Sequence, residues 1–160
     1  MVHRRFLEHT RHIKGWVVWG RGPWTPNAVV SSPSGAPESE FCVGDDIPAL
    51  VTDVHGGIWT AYGDEGIYGG HPESGAGLAG WTTQGQAAWA PDGRLPDHPL
   101  EGCAAATEDE QVWLAWHSGG RRGGTFLTRI TPSTGDVTSY PSPVPGLDGL
   151  AGDAWLRIGA

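Results

Sequence analysis

The chain has 160 residues, enough for one ordinary domain with a buried core. Glycine (26) and proline (13) bring it close to low-complexity composition, but nine tryptophans exclude that class, because disordered segments are poor in aromatics. A formal net charge of −8 with Lys14 as the sole lysine excludes a general phosphate-binding role, which needs clustered Lys and Arg, and Arg121-Arg122 is too small a patch to change that.

Residues 1–14 carry basic side chains and His3, His9 and His12 without a period, and read as an N-terminal lead-in ahead of a single β-repeat domain over residues 15–160. They contain no apolar run of signal-peptide length, and no later stretch reaches the roughly 20 apolar residues of a membrane span. The expectation is a soluble, cytoplasmic chain with neither a membrane nor a nucleic-acid partner. Gly15-Trp16-Val17-Val18-Trp19 reads as a short strand and 27–31 as its partner, followed by the Ser32-Pro33-Ser34-Gly35 turn and a polar connection over 36–40. Phe41-Cys42-Val43 then leads to the turn Gly44-Asp45-Asp46. Cys42 and Cys103 are far apart and belong to no CxxC pattern; they are expected to be buried thiols that behave as small hydrophobes.

The centre of the chain is 47–70, IPALVTDVHGGIWTAYGDEGIYGG. Its two runs, 48–52 and 58–62, are too short for helices and rich in β-branched and aromatic residues, as strands are. Between them Asp53 can bond its own backbone and two glycines can reverse the chain, so the stretch reads as an antiparallel hairpin. In 58–62 apolar side chains fall on both parities. Both faces are therefore expected to be covered, which implies stacked sheets.

Next comes a glycine-rich loop over 63–77, then strands at 78–81 and 86–90 around Thr82-Thr83-Gln84-Gly85. A proline-containing loop, 91–100, precedes a second hairpin, 103–107 and 112–116, around Glu108-Asp109-Glu110. The glycine loop 118–124 follows, then strands at 126–131 and 137–140. Gly149-Leu150-Ala151, the Gly152-Asp153 turn and 154–158 begin the hairpin again.

Trp16, Trp59, Trp113 and Trp155 occupy equivalent strands, separated by 43, 54 and 42 residues, and read as core between sheets. The elements VVSSPSG, LAGWTTQG and LTRITPSTG fall at similar places within each unit. A period of about 40–50 residues with about four short strands per unit is the pattern of propeller blades. The fold class is therefore expected to be all-β, built of antiparallel four-stranded blade-like repeats, with a β-sandwich as the alternative. Closed propellers have about 4–8 blades and this chain has about three. Exposed strand edges would invite pairing, so either partial closure or a homo-oligomer is expected.

The chain lacks the Gly-His and Trp-Asp pairs of WD40 blades. Asn27-Ala28-Val29, Gly57-Ile58-Trp59, Asp64-Glu65-Gly66-Ile67-Tyr68-Gly69 and the Cys103 strand resemble elements of uncharacterised bacterial β-propeller-like repeat proteins. The resemblance covers most of the chain and implies the fold without an activity.

Asp64, Glu65, His71 and Glu73 in the 63–77 loop form the best site candidate, because glycine lets backbone approach a ligand and carboxylates beside an imidazole suit a cation or proton transfer. Of these, Asp64, Glu65 and His71 are the candidate metal ligands. His117 and Arg121 occupy the corresponding loop one unit later and would open on the same rim. No Gly-x-Ser-x-Gly, GxGxxG or P-loop motif is present. The expected function is a binding or scaffold domain that contacts a protein or small ligand through rim loops, without a cofactor. The alternative is a metal-dependent propeller hydrolase or lyase that holds a divalent cation at the acidic and histidine loop.

Overall fold

A computed structural model describes residues 24–120 and 123–144. The expected strand at 15–19, Trp155 with 149–158, the three N-terminal histidines, Arg121 and Arg122 lie outside them. No helix among the described residues is long and apolar enough to cross a membrane.

The elements are almost all strands, and they form three antiparallel sheets. β1 (Ala28–Ser31) pairs with β2 (Pro37–Phe41). A second sheet runs in the order β3 (Ala49–Thr52), β4 (Ile58–Ala61), β5 (Leu78–Trp81) and β6 (Ala87–Trp89). The third runs β7 (Pro99–Glu108), β8 (Gln111–Ser118), β9 (Gly124–Thr131) and β10 (Asp136–Pro141). In both four-stranded sheets each strand pairs with the next one in the chain, and among the described residues only the β4–β5 connection, 62–77, holds helical turns. No sheet closes on itself among the described residues.

Three of these turns share one construction. In 32–36, 53–57 and 82–86 the fourth residue donates its N–H to the first carbonyl, at 2.9, 3.1 and 3.0 Å, and the first donates to the fifth, at 2.8, 2.9 and 2.9 Å. The fourth residue is Gly35, Gly56 or Gly85 with φ of +85°, +86° or +75°, a region open to glycine. A side-chain oxygen on the first residue (Ser32, Asp53 or Thr82) accepts the fifth N–H at 3.1, 2.9 or 3.2 Å.

The sheets stack through alternate residues. Ile58 and Tyr62 point away from the third sheet, into a cluster with Val30, Val43, Ile67 and Trp81, and Thr60 lies on that side, accepting from Trp81 Nε1 at 3.2 Å. Trp59 and Ala61 point the other way, into a cluster with Leu78 and with Val112, Leu114, Trp116 and Ile130 of the third sheet. Both faces of 58–62 are thus covered, as their mixed parity requires. In β8 the parity repeats: Leu114 and Trp116 face the second sheet, whereas Ala115 packs on the far side with Ala104 and Leu127. The two sheets meet chiefly where β3 lies along β7.

A clamp ties the outer end of the second sheet to the third. Trp89 Nε1 and Arg94 Nη1 both donate to the Gly135 carbonyl, at 3.3 and 2.7 Å, while Arg94 also donates to Pro91 O and Ala90 O and stacks over the Trp89 ring. Arg94→Ala removes these bonds at a largely exposed site, with an expected loss of about 1–2 kcal/mol. Urea denaturation of the variant beside Arg94→Lys, which retains charge without the planar fork, checks it.

Four expectations need correction. The polar connection 36–40 is largely strand β2, which has no apolar alternation because it is an edge strand with solvent on most positions, and Pro37 takes its first place, where no ladder donor is lost. The loop 91–100 ends early, since β7 starts at buried Pro99. The 63–77 loop contains α1 (Asp64–Tyr68) and a 3-10 turn (Ser74–Ala76), each too short to leave a periodic signature. The Cys42 and Cys103 thiols are half-buried rather than buried.

Candidate functional site

The acidic side chains gather where α1 begins, and backbone packing brings them there. Gly102 of β7 donates its N–H to Tyr62 O at 2.7 Å, and a Cβ at Gly102 would stand 2.8 Å from the Ala61 carbonyl carbon. Only glycine lets β7 pass so close to the end of β4. Glu101, one residue earlier, therefore lies beside the first turn of α1, close to the Asp64 N–H. From the other side Asp46, held at φ +47°, accepts the Glu65 N–H at 3.2 Å. Gly66 completes the fit, since a Cβ there would meet the Asp45 carbonyl at 2.2 Å. One free N–H of the helix start is thus served by a carboxylate from outside the helix.

His117 is paired across β7–β8 with Glu101. Asp64, Glu65 and His117 therefore share one end of the stacked sheets, and Asp46 and Glu101 join them. Asp64, Glu65, Glu101 and His117 are exposed there. Partial desolvation by the neighbouring strands, followed by the like charges of Asp46 and Asp64, holds the exposed Glu101 carboxyl above its ordinary range, with the Asp64 N–H and His117 acting against that rise. Because the folded state binds this proton more tightly than the unfolded chain, its contribution is present at low pH and is lost as pH rises through the raised value. Glu101→Gln is expected to raise stability at pH 7 and to leave it unchanged at pH 3; thermal denaturation at the two values checks both signs.

His71 has another setting. The left-handed Gly70 (φ +88°) precedes it, and the ring is 6% exposed between Trp24, edge-on at 5.0 Å between centroids, and Trp81 at 6.0 Å. Its Nδ1 lies 3.2 Å from Glu73 Oε2, an ion-pair distance without the alignment of a hydrogen bond. Burial lowers its proton affinity, opposed by Glu73 and Asp45. His71 is thus joined to Glu73. Among the described residues no three His, Cys, Asp or Glu side chains are placed to hold a metal ion, so Asp64, Glu65 and His71 do not make a ready ligand set.

A third polar junction pins the same end of β8, one residue beyond His117. The buried Ser118 hydroxyl donates to Asp97 Oδ2 and accepts the Gly120 N–H at 3.1 Å, while Asp97 Oδ1 accepts the His98 N–H at 2.8 Å. The Ser118 hydroxyl, then the His98 N–H, holds the Asp97 carboxyl below its ordinary range. Gly120 has no room for a side chain, since a Cβ there would overlap Asp97. These contacts fix loop geometry.

Asp46 and Glu101 were absent from the sequence-based site. Asp46 was legible as part of a turn, but nothing near Glu101 marks it, since its place depends on the Gly102 contact with β4. Searches with the chain found no matching family model, no matching curated protein and no matching solved structure.

Proposed function

We propose that the chain is a β-propeller-like binding or scaffold module whose stacked four-stranded sheets present one acidic rim, around Asp46, Asp64, Glu65, Glu101 and His117, to a protein or small ligand bearing positive charge. The blade reading is supported by the common strand order of the second and third sheets and by the repeated parity of β4 and β8. The observation that carries the binding reading is the crowding at Glu101, which is paired across the strands with His117 and stands near Asp46 and Asp64 at the start of α1, two like charges beside its carboxyl. Such self-repulsion is relieved when a cationic group arrives, and sites of this kind carry function more often than stability. The alternative hydrolase or lyase needs a cation ligand set, and no observation on the described residues favours it.

Fluorescence anisotropy with a labelled Lys/Arg-rich peptide and an acidic control peptide, across a salt series, tests the reading. The cationic peptide alone is expected to bind, and the combined Asp64→Asn, Glu65→Gln, Glu101→Gln variant to bind it about tenfold more weakly. Equal binding by variant and parent would remove the rim from the proposal.

A further inference from the structure

Successive sheets meet in one way at their outer strands. Ser39 of β2, Trp89 of β6 and Thr138 of β10 hold the same ladder position, each paired with the residue two before its turn, Val30, Gly80 and Arg129. From β2, Ser39 Oγ donates to Thr83 O at 2.6 Å, and the Phe41 ring covers Gly85 so closely that a Cβ there would overlap it. From β6, Trp89 Nε1 donates to Gly135 O at 3.3 Å, and its ring stands 3.7 Å from the place of a Gly135 Cβ. In both cases a ring from an outer strand seats on the left-handed turn glycine of the next sheet.

Each half of this contact also occurs without the other. Gly35 of the first turn has the same left-handed conformation, φ +85° beside +75° at Gly85 and +72° at Gly135, yet it is exposed, and among the described residues nothing lies within 4 Å of a Cβ placed on it. Tyr140 follows Thr138 by two residues, as Phe41 follows Ser39; it is 41% exposed, with Trp113 beside its ring at 6.1 Å between centroids. Charge agrees with shape: Glu40, paired with the exposed Val29, faces away from the second sheet near the open turn, whereas Arg129 is paired with Thr138 on the Tyr140 side of the third sheet. We infer that the chain self-associates head to tail, with Thr138 and Tyr140 of one copy seated on the 32–36 turn of a second copy at Gly35. This repeats between copies the contact that Ser39 and Phe41 make with the 82–86 turn inside the chain. The two partners use different surfaces, so each copy keeps one free half, and the assembly grows until it closes as a ring or runs on as a filament. The acidic rim lies on other residues, and the inference stands whether or not the rim binds a cation.

Sedimentation velocity of the full chain over a wide concentration series tests it. The parent is expected to shift from monomer to larger species as concentration rises. Gly35→Asn keeps the left-handed turn, which asparagine tolerates, and puts a side chain where Tyr140 seats; Tyr140→Ser removes the ring from an exposed position. Each is expected to weaken association about tenfold or more while its melting temperature stays near the parent's. Val54→Ser, at the exposed tip of the β3–β4 turn, is the control and is expected to associate as the parent does. Because each interface variant retains one intact half, an equimolar mixture of the two is expected to form a one-to-one dimer at concentrations where neither associates alone. Should Gly35→Asn fail to fold, Ser34→Arg in the same turn takes its place. A parent that stays monomeric at every concentration overturns the inference. So do folded interface variants that associate like the parent, or a mixture that remains monomeric.

Discussion

Replacement of Trp116 by alanine is expected to lower the unfolding free energy by about 3–5 kcal/mol, the range for removing a fully buried aromatic. Trp116 has no exposed surface, lies in the layer between the second and third sheets, stacks on Phe126 at 4.8 Å between centroids and donates from Nε1 to Thr128 Oγ1 at 2.8 Å. A domain of ordinary stability has only about 5–15 kcal/mol in total, so the variant would be partly unfolded at moderate temperature. Trp116→Phe keeps a ring and loses the hydrogen bond; its cost should be smaller, about 1–2 kcal/mol. Urea denaturation followed by circular dichroism measures both. A loss below about 1 kcal/mol for the alanine variant would contradict the close packing of the two sheets.

Asp53→Ala comes next in size. One carboxylate serves three donors: Oδ1 accepts the N–H groups of His55 and Gly57 at 2.8 and 2.9 Å, and Oδ2 accepts Trp59 Nε1–H at 2.8 Å. Alanine would open the β3–β4 turn and strand the indole N–H of a tryptophan that is 5% exposed. The expected loss is about 2–4 kcal/mol, combining a turn-capping contribution with an unsatisfied buried donor. Asp53→Asn retains one acceptor oxygen for the turn but turns an NH₂ toward the indole, and should fall between parent and alanine. Thermal denaturation orders the three proteins. A near-neutral alanine variant would show that the turn glycines alone hold the hairpin.

The sheet architecture follows from local features. Short apolar runs, β-branched and aromatic in β3 and β4, marked the strands β3, β4, β5, β8, β9 and β10, and the glycine turns 53–57 and 82–86 were readable because only glycine takes φ near +80° without strain. The mixed parity of 58–62 announced a strand covered on both faces, and the layers on either side of β4 agree with it. β2 escaped notice because an edge strand needs no apolar face, and α1 because five residues hold little more than one helical turn.

The candidate site was legible only in part. Asp64, Glu65 and His117 could be proposed from their positions after equivalent strands, and they do share one end of the sheets. Their connection through Glu101 could not be read, because it depends on how closely two backbones pass at Gly102 and Ala61, a contact between residues distant in the chain. His71 went the opposite way: a histidine in a glycine-rich loop reads as a surface ligand, yet packing between Trp24 and Trp81 places it in the interior. Residue order by itself therefore determined most of the strands, their turns and the covering of β4 on both faces, since these arise from neighbouring residues. Which carboxylates meet, and which imidazole is buried, was decided by tertiary structure, because charge proximity and burial are set by contacts between separate sheets and leave no local trace.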